Sequence, residues 1–363
     1  MTNFEVAQQR LQNQRLAGEK FATPGEVVGW LGAVQSQDNA GGKWAVAQRI
    51  NGMTEAAIEQ AINEGTLVRT HILRPTWHFV TPQDLRWMLD LTAVRVKMKM
   101  ASYARSLALD EAVFARSNDV IAKALQGGKH LTRAELGEAL QQVGIATDDF
   151  RLGFLMGNAE LDGVVCSGAM RGKQFTYALI EERVTPAPSL SRDEALAELA
   201  RRYFISRGPA TIQDYIWWSG LTIAEAREGI EAVKNELVEE TIEGEIYWRS
   251  PTTQPAQLQS PTVYLLPNYD EYIVAYADRS AIYDEQHGDK LDSRGNVLFQ
   301  HTIVLDGVIV GTWKRTIKKR EVVIEPTFFV LLTPAQTDAF TQAAQRYGDY
   351  LGLPATIKYS EAY

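Results

Sequence analysis

What most constrains this chain is an order of secondary structure that returns along it: three helical stretches, then a strand pair. It is plainest in residues 106–187. Residues 110–126 form a helix, and LTRAELGEALQQVG follows with Thr132 as N-cap and Glu135 three residues on, a reciprocal capping box with Leu136 and Leu140 on one face. Residues 147–161 make a third helical run before Gly163, and GVVCSGAMRGKQFTYALI reads as strand, glycine-bearing turn, strand. A chain built this way makes small units that each bury one apolar helical face against a hairpin.

The order returns in residues 188–251. SRDEALAELARRYFISRG and PATIQDYIWWSG predict helices ending at Gly208 and Gly220, and a third helix opens with Thr222 and Glu225 as another capping box. LVEETIEGEIYWRS supplies two short strands around Gly244. The first quarter fits the same template: helices over 4–16, 24–36 and 54–64, then TLVRTHILRPTWHFV as a strand pair turning at Pro75, and a long linking helix from Pro82 to about residue 105. TTQPAQLQSP, residues 252–261, reads as a linker. Beyond it VYLLP, YIVAY and NVLFQHTIVLDGVIVGTWKRTIKKREVVIEPTFFVLL are strand-rich with Asp306-Gly307 as a hairpin turn, and a helix over 334–349 packs against them. The expected fold is therefore α+β: three tandem winged-helix units (1–105, 106–187, 188–251) and a C-terminal β-rich, barrel-like domain over 262–363.

A winged helix is a DNA-reading shape, yet many such units bind only protein, so the repeat alone leaves both open. The net charge of −8 over 363 residues disfavours a generic polyanion binder, but residues 1–133 hold 16 Lys/Arg against 12 Asp/Glu, so the positive surface is concentrated at the N-terminal end. Candidate backbone contacts are Arg86, Arg95, Lys97 and Lys99 on the long helix and Lys314, Arg315, Lys318, Lys319 and Arg320 in the KRTIKKR stretch. The acidic helix after Thr222 is expected to brace its neighbours, and Trp217 and Trp218 to pack inside. Cys166 is the only cysteine, and His71, His78, His130, His287 and His301 lack ligand spacing, so no metal is expected. No phosphate-cradling loop is present either, because Gly41-Gly42-Lys43 lacks its partners; no cofactor is expected. With no membrane-length apolar run and no export-type leader, the expected location is the cytoplasm, without membrane or obligate protein partners.

LGAVQSQDNAGGKW places Gln35 and Gln37 one residue apart at a predicted helix end, where amides serve equally as capping residues or as a site. Four blocks settle which reading to carry: GAVQSQD with Trp44 downstream, RTHILRPTWHFVTPQDLRWML, GPATIQDYIWWSGL and LLPNYDEYIVAYADRS. In these the chain resembles the AlkZ-like family of bacterial DNA glycosylases. The resemblance implies catalysis by two glutamines separated by one residue, matched by Gln35 and Gln37. Ser36 stands where the family carries an apolar residue, and Thr76, Trp77, His78 and Phe79 match a family run only at His78. It further implies excision of N7- or N3-alkylated purines from double-stranded DNA, with crosslinks accepted by some members. The resemblance implies as well that the three units form a curved body around a DNA-sized concave channel. Arg74 and His78 are expected at the phosphate beside the lesion, with a buried, hydrogen-bonded core histidine as the equal alternative for His78.

The chemistry suits amides. A glutamine does not titrate near neutrality and cannot act as a carboxylate base, but an N7-alkylated guanine already carries positive charge and leaves as a neutral base. What remains is to hold a water at C1′ of an oxocarbenium-like sugar, a task assigned to Gln37 with Gln35 as partner, or the reverse. A non-catalytic regulator and a protein-interaction scaffold are the rival expectations.

Overall fold

The computed structural model describes residues 1–148, 150–252, 259–284, 286–287 and 296–359. Helices α1 (Asn3–Asn13) and α2 (Pro24–Leu31) each begin at a threonine–glutamate capping box, Thr2 with Glu5 and Thr23 with Glu26. The helix expected over 24–36 stops at Leu31, because Gly32 takes φ 73, a conformation open to a residue without Cβ. Val34–Gln35 form strand β1, and Asp38 then caps a helix the sequence reading lacked, α3 (Asn39–Ala47), by accepting from the Gly41 amide. Lys43 fastens α3 to α4 (Glu55–Glu64) through Glu55 and Glu59 at 2.7 and 2.6 Å.

Strands β2 (Val68–Ile72) and β3 (Arg74–Val80) follow, and β1 joins them in the antiparallel order β1-β3-β2, with Gln35 opposite His78. The turn is made by Leu73 at φ 61, not by Pro75. Pro75 lies inside β3 but beyond the part that β1 pairs, so its missing N–H interrupts no bond to that strand.

The long helix α5 (Pro82–Ser106) leads to α6 (Glu111–Leu125), β4 (Leu131–Thr132), α7 (Arg133–Gln142), α8 (Arg151–Leu161), β5 (Val165–Ser167) and β6 (Thr176–Leu179), the strands ordered β4-β6-β5. After a short α9 (Ile180–Arg183), α10 (Arg192–Arg207), α11 (Ile212–Ser219) and α12 (Ile223–Val233) precede the hairpin β7 (Val238–Ile242) and β8 (Glu245–Arg249). The capping boxes read at Thr132/Glu135 and Thr222/Glu225 are both formed.

In the C-terminal part β9 (Val263–Leu266) is followed not by a strand at YIVAY but by a buried helical turn, α13 (Glu271–Val274), which Asp270 opens by accepting from the Tyr272 amide. Then come β10 (Thr302–Leu305), β11 (Val308–Ile317), β12 (Val322–Phe328), α14 (Pro334–Leu351) and β13 (Ala355–Ile357). The sheet order is β13-β12-β11-β10-β9, antiparallel except between β12 and β13. Asp306 and Gly307 turn at φ 50 and 99, as a tight hairpin requires. The barrel-like expectation is met in part: the mixed sheet is partly curled, a half-barrel whose outer strands do not pair with each other among the described residues. The linker expected over 252–261 falls mostly on 253–258, outside the described residues.

The cores run across these segments. Val27, Leu31, Trp44 and Ile58 share one interior with Val263, Trp313, Val322 and Phe340, so the first helices and the last sheet bury the same apolar surface. A second interior joins α5, α10 and α11 to Ala275 and Tyr276, with Trp218 at its centre. Gly220, which ends α11 at φ 74, touches this joint: a Cβ there would lie 2.7 Å from the Leu73 carbonyl oxygen. Gly220→Ala is expected to cost about 1–3 kcal/mol and lower the melting temperature by several degrees. Gly25→Ala, inside α2 with open space around it, should be neutral or slightly stabilising in the same thermal melt.

Candidate active site

β1 has only two residues, too few to hold itself in place by ladder bonds. Its position comes from a buried ion pair instead. Glu271 is fully buried and accepts from the Gln35 amide at 2.9 Å through Oε1, and from Trp218 Nε1 at 2.9 Å and Arg207 Nη2 at 2.5 Å through Oε2. Arg207, equally buried at the end of α10, also donates to the carbonyls of Leu31 at 2.7 Å and Ala33 at 3.0 Å, while its guanidinium lies 4.3 Å from the Trp218 ring. The segment from Leu31 to Gln35 is thus held on both its carbonyl and its amide side.

Side chains then diverge. Gln35 is 6% exposed, and its Oε1 accepts from Arg74 Nη2 at 2.6 Å; Arg74 Nη1 reaches the Trp218 carbonyl at 3.0 Å. No acceptor takes the Gln35 Nε2 hydrogens among the described residues. Burial pulls Arg74 down to about 10, so it stays cationic near neutrality. Gln37, past the strand end, is exposed; its Oε1 meets the Trp77 amide at 3.4 Å, loosely occupying the place of a ladder partner. Ser36 between them is wholly buried, its hydroxyl has no protein partner, and a Cβ on Gly42 would come within 3.0 Å of it.

Of the two alternatives for His78 the structure has the core histidine: it is completely buried opposite Gln35 and Thr70. Its Nδ1–H donates to the Thr76 carbonyl at 3.0 Å, and Nε2 has no protein partner. Burial, and then the charge of Arg74, hold it well below the usual imidazole range, so it is neutral. Arg74 likewise serves Gln35 rather than pointing free. The residues that sequence reasoning missed are Glu271, Arg207 and Arg69, the last donating to the Ser36 carbonyl at 3.2 and 3.1 Å. A signal was present in NYDEYIVAY, where two carboxylates inside an apolar run require buried partners.

The outer cations are unevenly free. Arg86 pairs with Glu181 at 3.4 Å, Arg95 with Glu225 at 2.6 Å, Lys97 with Asp162 and Lys318 with Glu321 at 2.8 Å; Arg315 contacts His301. Lys99, Lys314, Lys319 and Arg320 are exposed without a carboxylate partner among the described residues. Glu225 also binds Arg192, so α12 braces α5 and α10. Trp218 is core, whereas Trp217 is 44% exposed and donates to the Val274 carbonyl. Among the described residues no group of three His, Cys, Asp or Glu is placed to hold a metal, and no helix is long and apolar enough to cross a membrane.

The fold, a helical body joined to a mixed sheet, matches that of Streptomyces sahachiroi DNA glycosylase AlkZ with a TM-score of 0.79 over 99% of this chain and 100% of that one, at 23% identity. The chain also matches the family described as DNA glycosylase AlkZ-like over residues 28–350, and it belongs to that family. A relative, the interstrand DNA cross-link repair glycosylase of Streptomyces sahachiroi, is 25% identical over 342 residues, 87% of this chain and 88% of its own. The function is thus of the DNA glycosylase type, and the protein is a DNA-acting enzyme.

Glu271→Gln keeps an acceptor for Gln35 but strands the Arg207 charge, and is expected to cost about 3–5 kcal/mol in denaturant melts. His78 gives a pH signature. Its folded-state pKa is depressed below the unfolded value of about 6.5, so its contribution is present above that pH and lost as pH falls. Melts compared at pH 7.5 and 5.5 should show a smaller loss in His78→Asn than in the wild type.

Proposed function

We propose that this chain is a monofunctional glycosylase that hydrolyses the N-glycosidic bond of cationic N7- or N3-alkylated purines in duplex DNA, leaving an abasic site. Interstrand crosslinks joined through such purines belong to the same substrate class, and the Streptomyces sahachiroi relative, an interstrand DNA cross-link repair glycosylase, supports including them. The segments 1–105, 106–187 and 188–251 act as winged-helix units that embrace the duplex. Exposed Lys99, Lys314, Lys319 and Arg320 make phosphate contacts, joined by Arg86, Arg95, Lys97, Arg315 and Lys318 when their present partners release them.

The observation that carries this reading is the unequal pair of amides at the end of β1. Arg74 occupies the Gln35 carbonyl, so that amide is left as a polarised donor through Nε2. Gln37 keeps a weakly engaged carbonyl in an exposed position. Gln37 therefore holds the attacking water by accepting its proton in a hydrogen bond, and its oxygen presents partial negative charge to the sugar as the glycosidic bond stretches. Gln35 orients the other side of the water or a flanking phosphate oxygen by donating. Neither amide takes up a proton. The base departs with the bonding electrons and becomes neutral because it began as a cation, and the water's proton passes to solvent after attack. Among the described residues no lysine hydrogen-bonds either glutamine, which fits hydrolysis without strand cleavage.

Release of N7-methylguanine from a duplex carrying a single lesion tests the reading against matched duplexes with uracil or 8-oxoguanine. Only the cationic base is expected to leave, and equal rates overturn the mechanism. Gln37→Ala should lose about tenfold to a hundredfold in single-turnover rate, roughly 1.4–2.7 kcal/mol. Gln35→Ala should lose less.

A further inference from the structure

Phe175 stands at the end of the β5–β6 hairpin, just before β6, and is 43% exposed. Large apolar rings are seldom left in water without a use unless they stand alone. This one does not. Its ring centre is 5.2 Å from the Arg69 guanidinium carbon, which is 4.5 Å from the Trp77 ring centre, so two rings share one cation. Arg69 is in turn fixed by two hydrogen bonds to the Ser36 carbonyl, between Gln35 and Gln37, and the Trp77 amide meets the Gln37 side chain. An unbroken series of contacts therefore leads from the paired amides to an exposed aromatic surface on a different hairpin.

The geometry points to Phe175 as a stacking post for a nucleobase beside the lesion, a positioning residue that sets where the duplex sits against Gln37. This rests on the proposed function and deepens it. The occupant follows from charge. Arg69 repels a cationic alkylated base, so the π-face that Phe175 receives belongs to an uncharged neighbour in the same duplex. Arg69 does not take that role itself, because Nε and Nη2 hold it to Ser36 and its guanidinium already lies against Trp77 and Phe175. Exposed Lys173, two residues before Phe175, adds attraction for the phosphates of the same nucleotide step. Aromatic stacking of this kind tolerates any base, which suits an enzyme that must find damage in every sequence context.

The test uses the full-length protein and a duplex carrying an uncleavable tetrahydrofuran abasic analogue with 2-aminopurine on one flank or the other, so that it does not depend on catalysis. Wild-type binding is expected to change the 2-aminopurine emission on one flank. Phe175→Ala should leave the emission at its free-duplex value and weaken binding about tenfold, with an unchanged thermal melt, and Phe175→Trp should restore both. In single-turnover excision of N7-methylguanine, Phe175→Ala should raise the half-saturating enzyme concentration more than it lowers the maximal rate. Binding and emission that are identical in the wild type and Phe175→Ala overturn the inference, as does failure of Phe175→Trp to restore them. A wild type that shifts the emission in a Phe175-dependent way yet releases no alkylated base overturns the proposed function alone.

Discussion

A strand of two residues carries Gln35 and leads into Gln37, and the Glu271–Arg207 ion pair is what keeps it in place. Buried pairs of this kind add little net stability, because removing both charges from water offsets most of their attraction. Their value here is positional. Arg207 satisfies the carbonyls of Leu31 and Ala33, and Glu271 satisfies the amide of Gln35, three backbone groups that a longer strand would have bonded to neighbours. The neighbouring Asp270 does similar work with Arg49, at 2.9 and 3.1 Å, so one short turn gathers cations from two distant helices. Trp218 completes the arrangement by donating to Glu271 and lying against Arg207.

The electrostatics match the substrate class proposed. Cations around the amides have their donors turned toward carbonyl oxygens: Arg74 toward Gln35 and Trp218, Arg69 toward Ser36. Their charge is directed into the protein, while the one side chain left outward at the strand end is the neutral Gln37. His78 behind Gln35 is neutral as well, kept so by burial.

Much of this was legible in the chain. Capping boxes at Thr132 and Thr222, glycines after helices and the Asp306-Gly307 turn are local signals, and local physics forms them. The α2–β1–α3 region was not legible because VVGWLGAVQ keeps an apolar pattern through Gly32; only the tertiary anchors Arg207 and Glu271 make an extended segment the better choice at Val34. YIVAY failed for the same reason in reverse: a β-branched, aromatic run becomes a helical turn once Asp270 and Glu271 must face Arg49 and Arg207. The amide motif itself could be located from the sequence, but not the inequality between its members, which depends on Arg74 arriving from another strand. Surface lysines and arginines were visible as letters, whereas which of them are already neutralised by Glu181, Glu225, Asp162 or Glu321 is decided by folding.

The interior shared between the first helices and the final sheet has a consequence for biosynthesis. Val27, Leu31 and Trp44 leave the ribosome long before Trp313 and Phe340 exist to cover them. Closure of that interior spans most of the polypeptide, a topology that slows maturation and leaves greasy surface waiting meanwhile. Strand β1, which borders that interior, likewise waits for Glu271, the group that holds its Gln35 amide, to be made late in the chain.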